Sequence, residues 1–270
     1  MVVRRFSVFD PGKRENLNVQ GFVETCLALL DRFLVYIAEN KPDILDRLAT
    51  DLESRYKSAV SSSFEIKDTS SINSDGKILT NFPSLLTACV DFLLEMLNVP
   101  RNYEWQPEEI ELLTINITRA SQLHFYYRVK SLTELVDKEE AIQLLKDFID
   151  SNIAKHARLK EYKDLPTLCE SHLTGNQTGD WTIISIDKGR YINRADRCIP
   201  HEVLKGFNDP ELAYIVACYA DYARFKKMNE NFVLTRTHTQ FDGSYCDNCI
   251  HDKRYVDKIE HPSREVFENL

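Results

Sequence analysis

Long apolar runs are missing from this chain. The two best candidates, Phe22 to Ile37 and Leu85 to Leu97, are interrupted by Glu24, Asp31 and Arg32 and by Asp91 and Glu95. A spanning helix needs roughly 18 or more uninterrupted apolar residues, so no membrane segment is expected. A basic surplus is missing too, because 34 Lys and Arg face 42 Asp and Glu for a net charge of −8. A protein that grips nucleic acid by its phosphates needs excess cations to displace counterions, so no nucleic-acid partner is expected. The first residues carry Arg4, Arg5, Lys13 and Arg14 but no apolar stretch or small-residue cleavage site, which reads as a cytoplasmic protein. Seven cysteines, an odd and scattered set, do not suit a disulfide framework. Several motifs are absent as well. Gly175-Asn-Gln-Thr-Gly179 lacks the phosphate-loop lysine and the dinucleotide glycine spacing, no Gly-x-Ser-x-Gly elbow occurs, and no second Cys-x-x-Cys completes a zinc set.

What is present is an ordinary globular composition, 43% hydrophobic and 28% charged, sufficient for one large domain or two modest ones. The first half reads as helix. Phe22, Cys26, Leu29, Leu30, Phe33 and Ile37 recur at helical spacing, and beyond Pro42 a second helix carries Ile44, Leu48, Leu52 and Tyr56. A Ser-rich loop is expected from Ser58 to Lys77, a third helix from Pro83 to Leu97, and a fourth opening at Pro107 with His124 inward. Asp137 with Glu140 has the form of a capping box. Beyond Gly175 the pattern changes. Trp181 to Ile186 and Arg190 to Arg194 form a hairpin, Asp209 to Met228 a long helix, and Phe232 to Gln240 with Tyr245 to His251 two more strands. Lys258 to Leu270 reads as a charged, loosely attached tail. The expected architecture is α+β, a helical N-terminal half packed on a small antiparallel sheet with one long helix. Its expected divisions are a helical region 1–135, an α+β domain 136–257 and a tail 258–270.

The reactive side chains concentrate in the last third. Cys246-Asp-Asn-Cys249-Ile-His251 places two thiols and an imidazole within six positions, half of a zinc or iron site, although alternation along a strand would send Cys246 and Cys249 to opposite faces. Cys218 and Asp221 stand one turn apart on the long helix, where Cys218 either fills core or joins a site. Alternation puts Arg236, His238 and Gln240 on one strand face, which is either a wet edge or the lining of a polar pocket. Cys198 follows Arg197 and is either inert or a thiol beside a cation. His124, His156 and His172 lack partners at ligand spacing and read as structural histidines.

Taken in order, Cys198, Asp209-Pro-Glu-Leu212, Cys218-x-x-Asp221, Phe232-Val-Leu-Thr-Arg236-Thr-x-Thr239 and Gly243-x-x-Cys246-Asp247 resemble the L-2-amino-thiazoline-4-carboxylic acid hydrolase family. The resemblance covers about residues 179–255. The family pattern continues Cys-Asp-Phe-Arg, where this chain has Asn248-Cys249. The resemblance implies hydrolytic opening of a cyclic thiazoline amidine, from 2-amino-thiazoline-4-carboxylate to N-carbamoyl-cysteine, on a small-molecule substrate and without a cofactor. Such a site needs a nucleophile or general base, a proton donor and a carboxylate holder. On this reading Cys246 attacks or positions the carbon, Asp221 or Asp247 takes a proton or pairs with the amidinium, and His238 shuttles the proton. Arg236 holds the carboxylate, with Cys218 and Cys198 beside the substrate. Two alternatives stand beside it: a vinyl-reductase-type (V4R) small-molecule-binding module without turnover, and a thiol-based metal or redox sensor holding zinc or iron on Cys246, Cys249 and His251. A homo-oligomer is compatible with either class.

Overall fold

The computed structural model describes residues 2–61, 63–64, 77–105, 108–174, 179–207 and 209–269. Most of the expected Ser-rich loop, Pro107 and positions 175–178 of the glycine-flanked loop lie outside them. The fold is α+β, and among the described residues no helix is long and apolar enough to cross a membrane. The chain divides into two compact units, Pro11–Phe148 and Met1–Asp10 with Ile149–Leu270. Strand β1 (Val2–Ser7) belongs to the second.

The first unit pairs β2 (Arg14–Leu17) with β3 (Ile110–Leu113) and builds its core from α1 (Val19–Asn40), α2 (Leu45–Ser58), α3 (Pro83–Leu97) and α4 (Thr114–Leu135). α4 starts at Thr114, because the preceding residues of the expected fourth helix pair as β3. Asn18 caps α1 by accepting the Gly21 N–H at 2.7 Å. His124 is fully partnered inside this core, by the Tyr56 hydroxyl at 2.8 Å and the Cys26 carbonyl at 3.1 Å. Burial and the nearby Arg128 push its pKa well down, so it is a neutral structural histidine. α5 (Lys138–His156) opens with half of the expected capping box. Asp137 accepts the Glu139 N–H at 2.9 Å, while Glu140 turns away to Lys41 at 2.6 Å.

The second unit adds α6 (Leu165–Thr174), β4 (Asp180–Ser185), β5 (Arg190–Arg197), α7 (Ile199–Leu204), α8 (Pro210–Ala217), α9 (Ala220–Met228), β6 (Phe232–Thr235), β7 (Cys246–Asp252) and α10 (Arg264–Glu268). Its five-stranded antiparallel sheet runs β1-β4-β5-β7-β6. Lying between β5 and β6, β7 is buried at every position. One face of the sheet packs Ile250, Tyr191, Phe232 and Leu234 against Leu165, Leu168 and Cys169 of α6 and Tyr222 and Phe225 of α9. The other face packs Cys249, Ile184 and Ile192 against Tyr245 and Phe267.

Three expectations are corrected here. The long helix from Asp209 to Met228 is two helices, with Cys218 outside helical geometry at φ −120°. The strand from Phe232 stops at Thr235 rather than Gln240. The tail is not loosely attached: Phe267 is fully buried and its carbonyl accepts from Arg194 at 2.5 Å.

Candidate active site

The ends of β6 and β7 and the break between α8 and α9 meet around one guanidinium. Arg236, the first residue past β6, is buried. Its Nε donates to Asn248 Oδ1 at 2.5 Å, its Nη1 to the Cys218 carbonyl at 3.2 Å and its Nη2 to Asp221 Oδ2 at 2.8 Å. Burial works against its charge, but Asp221 more than compensates and raises its pKa. A guanidinium carries five N–H donors, so one N–H on each terminal nitrogen remains without a partner among the described residues.

Cys198, Cys218 and Cys246 each lie close enough to this pair to feel the charges of both Arg236 and Asp221. All three thiols have raised pKa values because they are buried, Cys198 to about 12. Cys246 Sγ accepts the Gln240 N–H at 3.4 Å, which together with Arg236 offsets only part of that effect. The resting cysteines are therefore thiols at neutral pH. Of the two readings of Cys198, the raised pKa agrees with the inert thiol and not with one activated by a cation.

Asp247 points to the opposite side of β7, away from Cys246. Its Oδ1 accepts the backbone N–H groups of Thr237 and His238 at 2.9 and 3.0 Å. Its Oδ2 accepts His261 Nε2–H at 3.0 Å and the Thr237 hydroxyl, and His238 Nδ1 lies 3.1 Å from the same oxygen as an ion-pair contact. Burial pushes this carboxyl up, yet the hydrogen bonds from His261, His238 and Thr237 prevail and hold its pKa at about 2. The nearby carboxylate charge favours a proton on the Nδ1 side of the His238 ring, which leaves Nε2 as the acceptor. The His238 ring lies edge-on to Tyr245 with centroids 4.6 Å apart.

Arg236 and His238 line one cleft of about 350 Å³, with Glu211, Tyr214, Phe241 and Asp242. It therefore draws on both groups, the Arg236–Asp221 pair and the His238–Asp247 pair. The shared strand face expected for Arg236, His238 and Gln240 does not exist beyond Thr235. His238 reaches Asp247 because the chain leaves the ladder. Cys198 borders a separate cleft of about 350 Å³ with His201, Lys205 and Ser244.

The metal alternative is corrected by the sheet. Cys246 faces the helices, whereas Cys249 and His251 face Thr235 and the C-terminal segment, so the three cannot converge on one ion. Among the described residues no group of three or more His, Cys, Asp or Glu is placed to hold a metal. His261 escaped the reading of the sequence. Its sign there is an imidazole and an aromatic, His261 and Phe267, within an otherwise charged segment, and neither falls in a periodic pattern.

Two comparisons, with curated proteins and with solved structures, give no match. The model of the L-2-amino-thiazoline-4-carboxylic acid hydrolase family matches residues 117–250. That span holds Arg236, Asp221, His238 and Asp247 and ends one residue before His251. Through residues 117–250 this chain belongs to the L-2-amino-thiazoline-4-carboxylic acid hydrolase family.

Proposed function

We propose that this protein is a hydrolase that opens the ring of 2-amino-thiazoline-4-carboxylate or a close cyclic amidine. The observation that carries the reading is the His238–Asp247 pair beside Arg236 in one cleft. Asp247 holds His238 in the tautomer whose Nε2 can accept a proton, the arrangement of a general base and its orienting carboxylate. Water attacks the amidine carbon, its proton passes to His238, and a tetrahedral intermediate forms. The carbon–sulfur bond then breaks as the hydroxyl oxygen forms the carbonyl and its remaining proton passes to the ring nitrogen; the sulfur leaves with the bonding pair, and His238 returns the first proton to it. One water is added and a thiol appears, as N-carbamoyl-cysteine from the parent substrate.

Arg236 takes the substrate carboxylate on its two remaining N–H groups, and Asp221 and Asn248 keep the fork from rotating. Cys246 takes no covalent part in this scheme, because burial keeps it a thiol in the resting state and water with a base is the readier nucleophile. Purified protein incubated with 2-amino-thiazoline-4-carboxylate should release free thiol, with N-carbamoyl-cysteine identified by mass. The descarboxy analogue should show a raised KM. Tight binding of the thiazoline without thiol release would overturn the hydrolase and leave a binding module.

A further inference from the structure

Asp247 and Thr235 are joined by a residue that lies outside the family match. His261 Nε2 is 3.0 Å from Asp247 Oδ2, and its Nδ1 is 2.9 Å from Thr235 Oγ1. The same hydroxyl lies 2.9 Å from His251 Nε2. A hydrogen-bonded line therefore runs from Asp247 through His261 and Thr235 to His251, and the His238 ring at the cleft touches its near end, Nδ1 at 3.1 Å from Asp247 Oδ2.

The protons along this line follow from counting. Asp247 is ionised and only accepts, so a neutral His261 carries its proton on Nε2 and its Nδ1 is an acceptor. Thr235 has one hydroxyl proton, and the shorter contact gives it to His261 Nδ1 at 2.9 Å ahead of the Cys249 carbonyl at 3.3 Å. His251 must then donate from Nε2 and is left with a bare Nδ1. That atom is buried and without a hydrogen-bond partner among the described residues, a state that an under-used acceptor tolerates better than an orphaned N–H would. Burial and the neighbouring Arg190 and His261 lower the His251 pKa, in keeping with a neutral ring.

We propose that His261 is a positioning residue for the His238–Asp247 pair: by donating to Asp247 Oδ2 it shares the carboxylate's charge and so sets the basicity of His238. This rests on His238 being the general base. Two hydrogen bonds and a ring stack hold the residue. Its ring lies parallel to Phe267, 5.3 Å between centroids and 5° between planes. The charged or titratable groups facing His238 are Asp247, Arg236, Glu211, Asp242, Tyr214 and Tyr245. Those facing His261 are Asp247, His251 and, through His251, Arg190. Removing the His261 donor leaves more negative charge on the oxygen that His238 shares, which favours the imidazolium and raises the His238 pKa.

Two substitutions separate positioning from packing. His261→Phe keeps the stack on Phe267 and removes both hydrogen bonds, whereas His261→Gln loses the ring and keeps an N–H donor near the Nε2 position. Side-chain ¹⁵N NMR titration of the full chain reads the His238 pKa without any substrate. The expected result is a rise of about one pH unit in His261→Phe and a return toward wild type in His261→Gln. The acid limb of thiol release from 2-amino-thiazoline-4-carboxylate should move with it, in kcat more than in KM. An unchanged His238 pKa in folded His261→Phe, or a shift in His261→Gln alone, would overturn the proposal. If the NMR shifts appear but the wild type releases no thiol, the coupling stands and the hydrolase reading falls.

Discussion

At the scale of single residues, a carboxylate that accepts four hydrogen bonds sits within reach of a cleft, and the Cys246 thiol that sequence reasoning placed at the centre is buried and protonated. These facts divide the expected roles. Asp247→Asn removes the acceptor that fixes the His238 tautomer, so kcat should fall by ~10²–10⁴-fold, the range for losing general base catalysis, with a smaller change in KM. Cys246→Ala should keep turnover within a few-fold of wild type, measured on folded protein, whereas loss matching Asp247→Asn would restore the thiol as nucleophile. Asp247 also ties acid stability to the site. Its folded pKa of about 2 lies below the usual carboxylate value, so its contribution is complete above about pH 4 and is lost as pH falls toward 2. Urea unfolding at stepped pH should show about 2 kcal/mol of acid sensitivity that Asp247→Asn lacks.

At the scale of elements, the hairpin of β4 and β5 was readable because a run rich in β-branched and aromatic residues meets a turn at Asp187 to Gly189. The end of β6 was not. Thr235 to Gln240 continues to alternate in sequence, but the N–H groups of Thr237 and His238 go to Asp247 rather than to a strand partner. The break after α8 was equally hidden, since Ala217-Cys-Tyr-Ala220 contains neither Gly nor Pro. There the Cys218 carbonyl is taken by Arg236 and by the Asp221 N–H at 3.2 Å, and both belong to structure distant in sequence or not helical in register. The chemistry thus sits where local pattern gives way to a tertiary partner. β7 is the structural counterpart, packed on both faces. Ile250→Ala should cost about 2–5 kcal/mol in denaturant unfolding, while Tyr255→Ala, at a side chain 55% exposed, should stay within about 0.5 kcal/mol.

At the scale of the molecule, the α+β class, the family and two of the residues lining the cleft, Arg236 and His238, were legible in the sequence, because ordered polar motifs survive without knowledge of packing. The C-terminal segment stayed illegible, since a charged stretch with one imidazole and one phenyl ring looks like solvent-exposed chain. Yet Phe267 completes the second face of the sheet and His261 reaches the site carboxylate. Deleting residues 259–270 should therefore lower the melting temperature and thiol release together, read by calorimetry and by rate. A truncated chain with wild-type stability would contradict the packing described.

The central claim is that His238, held by Asp247, drives hydrolysis in the cleft that Arg236 shares. Its most direct test is the initial rate of thiol release from 2-amino-thiazoline-4-carboxylate by wild type and by folded His238→Ala. The account predicts turnover by the wild type and a loss of ~10²–10⁴-fold in the variant. Equal rates in the two proteins would contradict it.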